Sequence, residues 1–216
     1  MSGVWGVGCY DDGARRVAWP VSTDEMDRDL GAGARRIGAL GIGAGDRVLI
    51  CSMLSEAAQH WPLIVGVMLS GAQLSCADST AAEATRVAMF LRRLPYDAVL
   101  GVGPALLDGL EALGHDPAAV FASVRVVGAH PGASDRLRAL GVPVHDVALC
   151  GPALAIAPTP GAPAAVDTDE WTLDAHDGRI VVSSLRPRAH PFVRTPTAIR
   201  GAVVDGGVVP ESPSRG

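Results

Sequence analysis

Leu40-Gly-Ile-Gly-Ala-Gly-Asp-Arg-Val48 decides the reading of this chain. Three glycines in five residues suit a phosphate-cradling loop. Such a loop, however, follows a strand and opens a helix, so that the phosphate meets the free amides of the helix N-terminus. Here the order is reversed. Upstream, Ser22-Thr-Asp-Glu25 has the spacing of a capping box. Met26, Leu30, Ala34, Ile37 and Leu40 then recur every three to four residues, one apolar face of a helix. Gly41 is placed as its left-handed stop. Downstream, Arg47-Val-Leu-Ile-Cys51 is an apolar strand. The glycines close a helix and feed a strand, which argues against phosphate binding.

Outward from this unit the pattern repeats. Before the helix, residues 5–10 and 16–19 read as a hairpin about Asp11-Asp-Gly13. After the strand, Ser55 is expected to cap a helix running to about residue 70, with Pro62 bending it. Residues 71–77 read as a buried strand. Thr80-Ala-Ala-Glu83 has the form of a second capping box, opening a helix to residue 93, and 97–102 reads as a strand. Helices over 104–113, from 117 and over 134–140 alternate with strands over 124–127 and 142–147. Short β-α-β units of this kind predict an α/β fold, a parallel sheet flanked by helices. Residues 151–165 hold four prolines and read as a linker or extended edge. Beyond them 171–173, 179–185, 192–194 and 202–204 read as short strands of a small antiparallel β element. The expected organisation is an α/β core over 1–150, a Pro-rich linker over 151–165, a β subdomain over 166–209 and a disordered tail over 210–216.

Composition narrows the function classes. All 18 basic residues are arginine, against 23 acidic ones, for a net charge of −5. Without lysine this chain cannot itself supply a catalytic ammonium, a Schiff base or a phosphate-loop lysine. The acidic balance argues against nucleic acid as a partner. The most apolar run, 61–69, is too short for a membrane span, and residues 1–10 lack the pattern of a signal peptide. Cys9, Cys51, Cys76 and Cys150 show no ligand spacing and read as buried thiols of a cytoplasmic protein. Cys150, after a strand, is the one expected to be exposed. The six histidines are not spaced as a metal site, and no GxSxG turn suggests a serine hydrolase.

The Leu40–Val48 stretch, with its preceding helix and the later Ser70-Gly-Ala-Gln-Leu-Ser-Cys-Ala-Asp78, resembles the N-terminal domain of the adenylate-forming (AMP-binding) acyl-CoA synthetases. Val126-Val-Gly-Ala-His-Pro131 is similar to the "GAEP" loop of the phenylacetate-CoA ligase branch. Gly178-Arg-Ile-Val-Val-Ser-Ser-Leu185, with His190-Pro-Phe-Val-Arg194 and Thr197, is similar to that branch's "GELVLT-x-L … PLIRYRTGD" segment. In order these matches span about residues 3–205. The resemblance implies a reduced ligase N-terminal domain that activates a carboxylate with ATP and passes it to a thiol.

Several of the implied groups are replaced. After the strand ending near Leu100 comes Gly101-Val-Gly-Pro104, not a Ser/Thr/Gly-rich loop with lysine. The aromatic-Gly-x-Ser/Thr-Glu element, whose Glu binds magnesium, falls at Ala148-Leu-Cys-Gly-Pro152, without aromatic or carboxylate. The ribose-binding Asp falls at Ile199. The C-terminal lid with the adenylation lysine is expected to be absent. Together these losses imply a non-catalytic homologue, with no cofactor, no metal and no catalytic residue. Its expected role is an accessory, scaffold or binding subunit in acyl-group metabolism. The alternatives are a split acid–thiol ligase completed by a partner chain, or an acyl-CoA or nucleotide sensor. Residual ligand contacts would come from Gly128, Ala129, His130 and Pro131, the loop that lies against adenine in the family. The basic cluster of Arg186, Arg188, Arg194 and neighbouring Thr197 is the other candidate. For the cluster, an anion site competes with a turn whose arginines offset nearby acids. Self-association, as a homodimer, or docking of an acyl-activating or acyl-transfer protein is expected on the apolar 61–69 helix and an open sheet edge.

Overall fold

The computed structural model describes residues 3–211. The chain opens with an antiparallel hairpin of β1 (Val4–Asp11) and β2 (Arg16–Ser22). Asp11 Oδ1 accepts the Gly13 amide at 2.7 Å, closing the turn. Ser22 then caps α1 (Thr23–Ala39): its hydroxyl accepts the Glu25 amide at 3.3 Å, while Glu25 Oε2 accepts the Ser22 amide at 2.7 Å. The capping box expected from the sequence is therefore present, and buried. After the helix, Asp46 accepts the Gly43 amide at 2.9 Å and pairs with Arg125 at 3.0 Å. The glycine turn is thus closed by the chain's own carboxylate and feeds β3 (Arg47–Cys51).

Two other helix starts differ from expectation. A 3₁₀ turn over Leu54–Glu56 precedes α2 (Ala57–Leu69), and Glu56, rather than Ser55, accepts the Met53 amide at 3.1 Å. Following β4 (Gln73–Ala77), another 3₁₀ turn over Ala81–Glu83 leads into α3 (Ala84–Arg93), and the Thr80 hydroxyl caps nothing. The neighbouring Ser79 does not cap that start either; it ties to another turn, donating to the Gly101 carbonyl at 2.9 Å and accepting the Gly103 amide at 2.8 Å. Helices α1 and α2 meet backbone to backbone. A Cβ on Gly33 would lie 2.0 Å from the Pro62 carbonyl oxygen, so only glycine fits the crossing.

The remaining elements are β5 (Ala98–Val102), α4 (Pro104–Ala112), α5 (Pro117–Phe121), β6 (Val126–Ala129), α6 (Ala133–Ala139) and β7 (Val144–Cys150). After these come β8 (Ala153–Ile156), β9 (Ala164–Ala165), β10 (Trp171–His176), β11 (Arg179–Ser184), β12 (Thr195–Val204) and β13 (Gly207–Pro210). Apart from the hairpin, they form one mixed sheet ordered β10-β11-β12-β13-β9-β8-β7-β6-β5-β3-β4. From β4 to β7 neighbours run parallel; from β7 outward to β10 they run antiparallel. Alternating side chains of the parallel part bury both faces, as a sheet covered on two sides requires. Leu49, Val99 and Val127 pack with α3 to α6. Val48, Ile50 and Leu100 pack under α1 and α2, against Ile37, Leu63 and Val67. A third core joins the hairpin to the antiparallel part, with the Phe192 ring 5.6 to 6.2 Å from those of Trp171, Tyr10 and Trp19.

Several expectations are corrected here. The Pro-rich stretch 151–165 is no free linker: β8 and β9 lie inside the sheet and carry its change of direction. Strand β4 is an edge with Cys76 exposed, while Cys150 is fully buried and its thiol is pushed up to about 12 by burial, so it is no nucleophile. Residues 192–194 form no strand; they are the approach to β12. Pro210 belongs to β13, and the Glu211 amide donates to the Arg200 carbonyl at 2.8 Å. The rest of the expected disordered tail, 212–216, lies outside the described residues.

Candidate functional site

A cavity of about 620 Å³ opens where the hairpin, the start of α2, the ends of β6 and β7 and the middle of β12 converge. Each wall has a local cause. The hairpin contributes Cys9, Tyr10, Asp11 and Arg16; the turn and first residues of α2 contribute Ser55, Glu56 and Gln59. His130 and Pro131 follow β6, Leu149 and Gly151 close β7, and Ala198, Ile199 and Arg200 come from β12, with Glu211 beside them. Gly151 sits at φ +64°, with the Thr197 methyl and the Tyr10 ring each 3.4 Å from where a Cβ would be. That left-handed turn leads β7 into β8.

Gln59 ties the site together. Its Nε2 donates to the Cys9 carbonyl at 3.0 Å and to the Gly151 carbonyl at 3.2 Å, bracing the hairpin against the end of β7. Two carbonyl acceptors fix which end of the carboxamide is nitrogen. Oε1 is buried and has no hydrogen-bond partner. His130 lines the cavity with His60 beside it, their rings 6.2 Å apart at an interplanar angle of 70°. Burial drives the His60 pKa down to about 4, and burial with the neighbouring His60 drives His130 down to about 3. Both are neutral at pH 7. Burial raises the Glu56 carboxyl above its ordinary value, and burial together with Asp12 raises Tyr10. The walls mix apolar and polar groups, and the two buried imidazoles carry no charge at pH 7. Its cations, Arg16 and Arg200, are on exposed wall positions, Arg200 3.5 Å from Glu211. Among the described residues no group of three or more His, Cys, Asp or Glu side chains could hold a metal ion.

The eight residues singled out from sequence separate in space. His130 and Pro131 line the cavity. Gly128 and Ala129 are buried in β6 just before it. Thr197 is fully buried; its hydroxyl donates to the Ile180 carbonyl at 2.9 Å and accepts the Ile199 amide at 3.2 Å, positioning the wall from behind. The arginines lie elsewhere. Arg188 is buried, bidentate on Asp29 at 2.7 and 3.0 Å, bonded to Glu170 at 2.8 Å and stacked 4.0 Å over the Trp171 ring. Arg186 reaches the Asp169 carbonyl at 3.3 Å, and Arg194 pairs with Asp174 at 2.6 Å. These three neutralise acids in the fold. Sequence reading missed Gln59, Tyr10, Arg16 and Glu56; the available signal was a polar Gln-His pair inside the apolar α2.

No family model matches the sequence, and no curated protein matches it either. Solved structures do. A 2-hydroxyisobutyryl-CoA ligase, in an open conformation with 2-HIB-AMP and CoA, is 18% identical with a TM-score of 0.68. The match covers 97% of this chain and 56% of that one. An o-succinylbenzoate CoA synthetase from Bacillus subtilis gives 14% identity and a TM-score of 0.61 over 100% of this chain and 50% of that one. The amide bond synthetase McbA from Marinactinospora thermotolerans gives 16% and 0.63, covering 96% and 48%. The chain thus spans about half the length of the structures it matches, and shares their fold over nearly all of its own.

Proposed function

We propose that this chain, which has the fold of about half of an acyl-CoA ligase, is a non-catalytic homologue of the AMP-binding ligases. It would act as a ligand-binding accessory subunit in cytoplasmic acyl-group metabolism, self-associated as a homodimer or docked on an acyl-activating or acyl-transfer protein. One observation carries the reading. A cavity lies where the His130-Pro131 loop, Gly151 and Ile199 meet, while the groups that the resemblance implies for gripping magnesium and triphosphate are replaced. Adenylyl transfer depends on preorganised cations and metal ligands around the moving phosphoryl group. A lysine-free chain with Ile199 and Cys150-Gly-Pro152 at the implied positions lacks them. The support for binding is the size of the cavity, which suits a small organic molecule.

The test pairs two assays. ATP–pyrophosphate exchange by the chain alone is expected to be at background, while a thermal-shift panel of AMP, ATP, CoA and acyl-CoAs raises Tm for at least one acyl-bearing compound. Exchange activity by the chain alone overturns the reading. A second reading, a split ligase, is favoured by the half-length match to complete ligases. It predicts adenylate formation only when a lysine-bearing partner is added, and its loss on altering Arg194 or Thr197.

A further inference from the structure

Resting on the self-association in that reading and deepening it, we infer that a second copy of the chain pairs antiparallel with strand β4, edge to edge. The main sheet ends in β10 on one side and β4 on the other. An open strand edge is a template for another strand unless something blunts it. Strand β10 is blunted: Asp174 stands within it, and Glu170 and Asp177 flank it. Strand β4, Gln73-Leu-Ser-Cys-Ala77, holds no charge and no proline. Its register with β3 runs unbroken from Arg47 beside Gln73 to Cys51 beside Ala77, so no bulge turns it away.

The backbone shows which groups are on offer. The Gln73 amide donates to the Asp46 carbonyl at 2.8 Å, and the Ser52 amide to the Ala77 carbonyl at 3.0 Å. Alternate residues of a parallel strand bond one neighbour. Gln73, Ser75 and Ala77 therefore face β3, while Leu74 and Cys76 turn their amides and carbonyls outward. Among the described residues these outward groups meet only Arg86, whose Nη2 lies 3.5 Å from the Cys76 carbonyl. A two-fold axis at Ser75 sets Leu74 opposite Cys76 of the second copy, and Cys76 opposite its Leu74. Every outward group then finds a partner, in four hydrogen bonds. The strand ends match in charge as well. Antiparallel pairing brings the Ala77 end of each strand, followed by Asp78, to the Gln73 end of its mate. There the Arg47 guanidinium sits on Gln73 Oε1 at 3.0 Å. Asp78 is exposed and pairs with no cation among the described residues. Complementarity repeated at both ends favours an identical chain over an unrelated strand. Met68 and Leu69, exposed at the end of α2, which packs on β4, add apolar surface beside the edge.

Sedimentation equilibrium of the chain alone is expected to show a reversible dimer. Leu74→Pro removes an amide that the ladder to β3 does not use, and edge strands accept proline on that side. It should keep the native circular dichroism and raise the dissociation constant at least about tenfold, two hydrogen bonds per dimer being lost. Should that variant fail to fold, Cys76→Lys, which sets a charge on the edge, is expected to dissociate the dimer in its place. A short bis-maleimide should join two native copies but not two copies of Cys76→Ser. A dimer that survives the edge variants and gives no cross-link through Cys76 overturns edge pairing and leaves self-association to another surface. A chain that stays monomeric at about 100 μM overturns edge pairing and self-association together, and the thermal-shift panel then judges ligand binding by itself.

Discussion

Arg188 and Arg200 lie twelve residues apart on one basic stretch, yet they occupy opposite environments. Arg188 is sunk among Asp29, Glu170 and Glu25 beneath α1, its side chain 2% exposed. Arg200 stands at the cavity wall, more than half exposed, with a loose contact to Glu211. Three acids around one buried guanidinium make a structural rivet. Removing the cation leaves Glu25 and Glu170, both almost fully buried, without their shared counter-charge, although Arg28 still pairs with Glu170 at 2.8 Å. A half-solvated arginine beside a cavity is screened and contributes little to folding. Equal residues in a linear cluster therefore divide into one that holds the fold and one that stands half-solvated at the cavity rim.

The sharpest way to break this contrast is Arg188→Ala. It should destabilise the chain by about 3–5 kcal/mol, as expected for one partner deleted from a buried charge cluster, read as a lower urea midpoint at unchanged slope. Arg188→Met, which keeps the contact with Trp171 but not the charge, should fall nearly as far if the acids dominate. A smaller effect comes from pH and falls on the cavity end. His60 and His130 titrate at about 4 and about 3 in the fold. Unfolded, they titrate near 6.5, so below that pH the unfolded chain takes up protons first. Their contribution is whole above pH 6.5 and is lost as pH drops toward 4, amounting to about 2 kcal/mol per histidine at pH 5. In His60→Met the slope of stability between pH 6.5 and 5 should fall by about half. The smallest effect belongs to the exposed arginines: Arg194→Ala, at its solvated pair with Asp174, should leave the unfolding midpoint within experimental error.

Local signals were legible where geometry is local. The Ser22–Glu25 box, the stripe from Met26 to Leu40, the Gly41 stop and strand Arg47–Cys51 each depend on neighbours within a few residues, and all are present as read. Thr80-Ala-Ala-Glu83 has the same Ser/Thr-x-x-Glu spacing as the first box, but a tight 3₁₀ turn forms there and the Thr80 hydroxyl caps nothing, which spacing alone does not reveal. The prolines of 151–165 suggested a linker because proline cannot donate to a ladder. Here the paired residues are the alanines, Leu154 and Ile156 between them. The cavity was legible only in part. His130, Pro131 and Ile199 came from a resemblance, whereas Tyr10, Arg16 and Gln59 reach the site through tertiary contacts from the other end of the chain.

Because Gln59 holds the hairpin's Cys9 carbonyl on one side and the Gly151 carbonyl on the other, the ribbon β1–β2 is a latch over the cavity. It stands outside the main sheet, fastened to it by side chains alone. A molecule bound in the cavity is expected to slow amide exchange along Val4–Asp11 before it slows it anywhere in the sheet.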